Sequence, residues 1–226
     1  MPGMFLAFGL LSAIHEARNS GEGQFVDVSM VDCILAVCER MVWQHSVQGL
    51  VPGPEGNHHP FLCPFGMFPA RDGWITLGAH QDEFFGKLTV LLDAPHLAKD
   101  SRFLTFADRG ANRLALIEEL SVFTSALSKA ELTELVGGKI PFGPVLNIAE
   151  IEQSAHFAAR EMIVDIEQPG ADSPIRVAGV PVKHTRTAGK VDSRAPFLGE
   201  HTAHYLELAG LSENEGGIRT QHLSCV

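Results

Sequence analysis

No set of residues in this sequence is spaced as a familiar catalytic motif. The nucleophile motif GxSxG, the zinc motif HExxH, the phosphate-binding loop and the dinucleotide motif GxGxxG are all absent. The cysteines, at positions 33, 38, 63 and 225, have neither CxxC spacing nor the Cys/His spacing of a zinc site. They are predicted to be reduced, mostly buried thiols. Spacing alone predicts only a cytosolic α/β protein fragment.

Composition and charge narrow the classes of partner. Hydrophobic residues make up 45% and charged residues 19% of the chain, which is typical of a globular protein rather than a disordered one. The formal net charge of −10 argues against a general nucleic-acid binder, because a polyanion requires a basic surface. An anionic small ligand is still possible, because a few local cations or helix N-termini can bind it.

The first fifty residues carry two helical patterns. Residues 4–19 are apolar on nearly every side, so we expect a helix that other elements enclose. No basic region precedes this segment and no small-residue cleavage site follows it, so it is not predicted to be a signal peptide or a membrane span. A chain that opens inside a buried helix is expected to be preceded by further residues. The alternation in residues 24–29 predicts a strand, and Ser29 is predicted to cap a helix over 30–48.

Residues 50–64 are rich in proline and glycine and are predicted to form a loop at a domain boundary. A hairpin is predicted to follow, with strands over 65–69 and 74–78 joined by an Arg71-Asp72-Gly73 turn. Further strands are predicted over 162–168 and 175–178, an extended stretch over 180–198 and a loose tail over 213–226. Helices are predicted over 81–92, 112–126, 128–137 (with a capping box from Ser128 to Glu131), 148–153 and 200–208.

Seven segments stand out in order along residues 2–211. They are 21–32 (GEGQFVDVSMVD), 56–60 (GNHHP) with Pro64 and Asp72-Gly73, 100–103 (DSRF) with Arg109 and Asn112, 140–145 (IPFGPV), 160–162 (REM), 179–181 (GVP) and 194–202 (RAPFLGEHT). Together they resemble the signature of family III CoA-transferases, a family that includes formyl-CoA transferase and crotonobetainyl-CoA:carnitine CoA-transferase. Each segment is weakly specific alone, and Ser101 replaces the usual proline of one of them.

The resemblance implies a C-terminal half, with a partial Rossmann-like large domain and an inserted small α/β domain. Residues 1–48 and 161–226 would belong to the large domain and 52–160 to the small one. It also implies a reaction in which an enzyme aspartate accepts CoA from an acyl-CoA and passes it to a carboxylic acid. The family aspartate is expected just before Pro2-Gly3, and most residues that contact CoA are expected upstream as well. This sequence is therefore expected to lack the aspartate and most of the residues that contact CoA, and to be inactive alone.

The resemblance leaves one candidate site, the loop of Gly56, Asn57, His58 and His59. Related transferases have a loop here that covers the aspartyl intermediates, and a glycine with exposed amides suits that role. The alternative is that the two histidines only cap the loop. No metal and no permanently bound cofactor are expected. Coenzyme A and acyl-CoA would be substrates, the parent protein would be a cytoplasmic homodimer, and neither nucleic acid nor membrane is an expected partner.

Two other functions stay open. The chain could be a non-catalytic remnant or a binding module that keeps the small domain. It could also be an acyl-CoA racemase-type enzyme, since those enzymes resemble the same stretch. The racemases carry a proton-transferring glutamate where this sequence has Gln81, in Gly78-Ala79-His80-Gln81. An amide cannot act as a general base, so the sequence favours the transferase.

Overall fold

The computed structural model describes residues 1–211, which fall into two compact units, one over Met1–Gly143 and a second that begins at Pro144. Both contain helices and strands, which confirms the predicted mixed α/β class. The predicted domain boundaries near residues 50 and 160 stay a prediction. The predicted tail over 213–226 and Cys225 lie outside the described residues. No helix among residues 1–211 is both long and apolar enough to cross a membrane.

Three helices open the first unit: α1 (Pro2–Ser20), α2 (Met30–Val37) and α3 (Glu39–Gln48). The end of α1 is set by Gly21, which has a φ of 82° and donates its amide to the Ala17 carbonyl at 2.9 Å. The expectation that other elements enclose α1 is not met within the described chain, because no residue of α1 is buried. The apolar surface of α1 is therefore open.

Two details of this region differ from the sequence predictions. The strand predicted over 24–29 is wrong: residues 22–29 have no regular structure, and the side chain of Phe25 is 91% exposed. An isolated strand has no ladder to satisfy its backbone, and among the described strands none pairs with this segment. The helix predicted over 30–48 is interrupted at Cys38, whose backbone leaves helical geometry at ψ 24°. The predicted cap is present, with the Ser29 hydroxyl accepting the Asp32 amide at 3.4 Å.

A three-stranded sheet forms the centre of the first unit. The predicted hairpin is confirmed as β1 (Phe65–Ala70) and β2 (Gly73–Gly78), antiparallel, with Phe65 opposite Gly78. β3 (Phe142–Pro144) lies on the other edge of β2, so β1 is an edge strand. The helices of this unit that follow the hairpin are α4 (Asp82–Leu91), α5 (Phe106–Ala111), α6 (Arg113–Ser125) and α7 (Lys129–Val136), with a short 3-10 helix at Leu97–Lys99.

The core of the first unit lies between this sheet and its helices. Alternate strand residues Phe68, Ile75 and Leu77 face it, together with Leu88 of α4 and Leu116 of α6. The capping box predicted at Ser128 is confirmed, because Ser128 and Glu131 bind each other's backbone amides at 3.2 and 2.7 Å. This cap sets where α7 begins.

The second unit has short elements. They are α8 (Ile148–Glu152), α9 (Ala155–Ala159), β4 (Ile163–Ile166), β5 (Ile175–Ala178) and α10 (Thr202–Leu208). β4 and β5 form an antiparallel pair, which confirms both predicted strands. Residues 179–201 between β5 and α10 have no helix or strand, and the extended conformation predicted over 180–198 stays a prediction.

The three cysteines within residues 1–211 are free thiols, as predicted. Cys33 and Cys63 are buried and Cys38 is half-buried. Burial raises the pKa of the Cys63 thiol to about 12, although the charges of Arg109 and Arg113 act in the opposite direction. A thiol with this pKa is not a nucleophile at neutral pH, so Cys63 is a core residue.

Candidate functional site

The loop from Gly56 to His59 is paired with the free edge of β1. The Met67 amide donates to the Asn57 carbonyl at 2.9 Å, and the His59 amide donates to the Phe65 carbonyl at 2.9 Å. His58 lies opposite Gly66 as an antiparallel bridge. The backbone of this loop is therefore held as a short extra strand, which argues against a freely moving lid.

Gly66 allows this close pairing, and it is not among the site residues predicted from the sequence. Its φ is 156°, and a Cβ placed there would lie 2.5 Å from the Asn57 carbonyl oxygen and 2.6 Å from His58 Nδ1. Contacts this short require the loop to move away from β1. A glycine within a strand often marks close approach of another backbone, which is the signal that could have revealed it.

We expect Gly66→Ala to release the loop and to destabilise the first unit by about 1–3 kcal/mol, since the added methyl group meets backbone atoms that cannot rotate away. Urea unfolding measures the stability, and hydrogen exchange of the His59 and Met67 amides reports the loop. Gly53→Ala is the matched control, because a Cβ at Gly53 meets nothing within 4 Å. Unchanged amide exchange in Gly66→Ala would contradict this assignment.

The two histidines of the loop have different surroundings. The ring of His58 packs edge-on against the buried ring of Phe68, with centroids 5.0 Å apart, and its Nδ1 is buried with no hydrogen-bond partner in the described chain. Burial lowers the pKa of His58. His58 therefore belongs to the packing beneath the loop.

His59 closes a turn. Its Nδ1 accepts the amides of Phe61 and Leu62 at 3.2 and 3.0 Å, and its ring packs edge-on against Phe65 at 5.7 Å. Burial is the largest cause that lowers the pKa of His59, and the nearby charges of Arg40 and His80 act in the same direction. Glu55 acts in the opposite direction. The capping role considered for the loop histidines thus applies to His59.

A second segment, residues 78–81, lies near the loop because both contact the side chain of Phe65. The His80 ring packs edge-on against Phe65 at 5.4 Å, on the same aromatic side chain that His59 contacts. His80 Nδ1 is buried without a hydrogen-bond partner among residues 1–211. Gln81, which the sequence resemblance matches to the racemase glutamate, is exposed and precedes α4 without a side-chain hydrogen bond to the helix end. His59 and His80 therefore pack against the same ring, that of Phe65.

Arg109 fixes the position of residues 80–82. Its side chain is fully buried, and its Nη2 donates to the His80 carbonyl at 2.7 Å and to Asp82 Oδ1 at 2.5 Å. Its Nη1 donates to the Phe103 carbonyl at 3.1 Å, and the guanidinium lies 4.6 Å from the centroid of Phe85. Arg109, which follows the DSRF segment, therefore holds the backbone around His80 and Phe103 in place.

The IPFGPV segment borders a shallow hollow on the sheet. The Gly78 amide donates to the Pro141 carbonyl at 2.9 Å, and Thr76 Oγ1 donates to the Gly143 carbonyl at 3.1 Å. The hollow has a volume of about 320 Å³ and no titratable side chain among its lining residues, so it suits an apolar group. It is lined by Phe65, Gly66, Met67, Thr76, Leu77, Gly78, Pro141 and Phe142.

The described residues show no metal centre. Within residues 1–211 there is no group of three or more His, Cys, Asp or Glu side chains that could hold a metal ion. The loop region offers backbone amides and imidazoles that can form hydrogen bonds, and Phe65 next to it borders an apolar hollow.

Comparison with known proteins identifies the family. The profile of CoA-transferase family III matches residues 1–202. The chain belongs to this family, which confirms the resemblance seen in the seven sequence segments.

Its relatives include transferases with named substrates. The chain is 40% identical to succinyl-CoA:mesaconate CoA-transferase of Haloarcula hispanica over 95% of its length and 54% of the relative's. It is 30% identical to succinyl-CoA–D-citramalate CoA-transferase of Chloroflexus aurantiacus over 93% of its length and 53% of the relative's. A CaiB/BaiF family protein of Brucella suis has a similar structure, with a TM-score of 0.75 and 31% identity over 92% of this chain and 53% of that one. The chain spans about half the length of these relatives.

Proposed function

We propose that this chain is one part of an enzyme that transfers CoA between an acyl-CoA thioester and a dicarboxylic acid. The observation that carries this proposal is the 40% identity to succinyl-CoA:mesaconate CoA-transferase over nearly the whole chain. Succinate, mesaconate and citramalate, the acids in the names of its relatives, all carry two carboxyl groups. The proposed acceptor is therefore a short dicarboxylate, and coenzyme A enters and leaves only as part of a substrate.

The proposed reaction passes through an aspartyl-CoA thioester. An aspartate oxygen attacks the thioester carbonyl carbon, CoA thiolate leaves, and a mixed anhydride forms. The thiolate then attacks the aspartyl carbonyl carbon and releases the donor as a free carboxylate. The acceptor carboxylate reverses these two steps, which forms the new acyl-CoA and restores the aspartate. A carbonyl oxygen becomes negative in each tetrahedral stage, so fixed N–H donors lower the barriers.

We further propose that the aspartate is not among these 226 residues and lies in the half of the enzyme that these residues do not include. About half the length of the relatives has no counterpart in this chain. The open face of α1 and α2 supports contact with that other half. Its groove has a volume of about 510 Å³ and an entirely apolar lining of Pro2, Met30, Val31, Ile34, Leu35 and Cys38. Exposed apolar surfaces of this kind mark protein interfaces.

The test uses the part of the Haloarcula hispanica enzyme that the match leaves uncovered, here called the complementary segment. The 226-residue chain alone is expected to transfer no CoA from succinyl-CoA to mesaconate. The same chain co-expressed with the complementary segment is expected to do so. The relative's own two parts, co-expressed in the same way, show whether the enzyme tolerates being split.

Turnover by the chain alone would refute the proposed division of the site. If the relative's two parts are active together while this chain gives no turnover with the complementary segment, the proposed activity is refuted. A homodimer of the complete assembly, which the family resemblance implies, stays a prediction.

A further inference from the structure

The proton of neutral His59 has a fixed position on the ring. Nδ1 accepts hydrogen bonds from the backbone amides of Phe61 and Leu62, at 3.2 and 3.0 Å. A ring nitrogen that accepts an N–H cannot carry a proton itself, so the proton of the neutral ring is on Nε2. Within residues 1–211, Nε2 has no hydrogen-bond partner. The turn thus leaves one N–H donor on a half-buried ring.

We propose that His59 uses this Nε2–H as a neutral hydrogen-bond donor to a carbonyl or carboxylate oxygen of the acyl substrate. The inference rests on the proposed function and deepens it, because it gives one loop residue a chemical role. A donor of this kind stabilises the oxygen that becomes negative at each tetrahedral stage. A neutral imidazole can polarise a carbonyl without becoming charged.

The same geometry excludes His59 as a general base. The nitrogen that could accept a proton, Nδ1, is already occupied by two backbone amides. The charged and titratable groups that act on the ring are Arg40 on α3, Glu55 in the loop and His80 after β2. Burial, Arg40 and His80 lower the pKa of His59, so the ring stays neutral at neutral pH.

The position of the ring is also fixed. Pairing of the His59 and Met67 amides ties the loop to β1, and Gly66 permits the close approach. Phe65 packs against the ring of His59 and borders the apolar hollow on the sheet. The ring and the hollow thus share Phe65 as a neighbour, and the proposed acyl group has one polar end for the donor and a short carbon chain for the hollow.

The position of the proton can be measured on the 226-residue chain without any activity. Nitrogen-15 NMR of the imidazole is expected to show a protonated Nε2 and an unprotonated Nδ1. The midpoint of protonation is expected below the ordinary value of 6.5. The folded state then binds fewer protons than the unfolded state in this range, so the turn loses stability as the pH falls below about 6.5. A proton on Nδ1 at neutral pH would overturn the inference.

The donor role is separated from the capping role by His59→Asn. An asparagine oxygen can accept amides two and three residues ahead, so this variant keeps the cap and loses the ring donor. With the complementary segment present, we expect kcat/KM to fall about 100-fold with a nearly unchanged Tm. His96→Asn, at an exposed histidine of the same unit, is the control and should keep wild-type kinetics. His59→Ala removes both roles and should lower Tm as well.

The outcomes separate this inference from the proposed function. If the wild-type chain with the complementary segment transfers CoA and His59→Asn is equally active, His59 only caps the turn and the inference is wrong. If the wild-type pair does not turn over while the relative's two parts do, the proposed function itself is wrong and the donor role is withdrawn with it.

Discussion

Ile34→Glu is expected to abolish binding of the complementary segment and, with it, all CoA transfer. Ile34 lines the apolar groove, and the residue is 50% exposed in this chain. Its neighbours Met30, Val31 and Leu35 are 71%, 75% and 56% exposed, which is unusual for four such residues on one short helix. A carboxylate buried there without a partner would lower the affinity more than 100-fold.

The measurement is co-purification followed by the transfer assay. Val122→Glu is the matched control, because Val122 is 65% exposed on α6, outside α1–α3, and receives the same change. Wild-type co-purification and activity are expected of the control. If Ile34→Glu still bound the segment with wild-type affinity, the groove would not be the interface. A chain that formed only homo-oligomers through the groove would also contradict this proposal.

Arg109→Leu is expected to destabilise the first unit by about 3 kcal/mol or more. The substitution leaves the His80 and Phe103 carbonyls without their charged donor and removes the contact with Phe85. Each buried hydrogen bond to a charged group contributes about 1.5–3 kcal/mol, and the lost packing adds to this. Urea unfolding of the 226-residue chain provides the measurement.

Asp82→Asn separates the buried part of this network from the exposed part. The side chain of Asp82 is 70% exposed, so loss of its charge should cost less than about 1 kcal/mol. Equal destabilisation by Arg109→Leu and Asp82→Asn would show that the ion pair, rather than the carbonyl contacts, holds residues 80–82. Hydrogen exchange of residues 80–82 should rise in Arg109→Leu and stay near wild type in Asp82→Asn.

Local patterns predicted the elements of the first unit that carry their own stop and start signals. The hairpin followed from Arg71-Asp72-Gly73, and the start of α7 followed from the Ser128–Glu131 box. The segment 24–29 has the alternation of a strand, but a strand requires a partner from elsewhere in the fold. Alternation shows which side chains share a face and cannot show whether that partner is present.

The resemblance to the family locates the candidate loop in the sequence, but it does not predict how the folded chain holds that loop. Pairing of residues 57–59 with β1, and the dependence of that pairing on Gly66, are contacts between separate segments of the backbone. The different roles of two adjacent histidines depend on the direction of each ring. Arg109 was recognised only as part of a motif, and its carbonyl contacts with His80 and Phe103 appear only in the folded chain.

The central claim is that these 226 residues build part of a CoA-transferase site whose nucleophile lies outside them. Mass spectrometry after incubation of the co-expressed pair with succinyl-CoA tests it most directly, because an aspartyl-CoA thioester adds the mass of CoA less one water to the chain that carries it. We predict that the adduct maps to an aspartate of the complementary segment and that the 226-residue chain keeps its unmodified mass. A CoA adduct on any carboxylate of this chain would contradict the account.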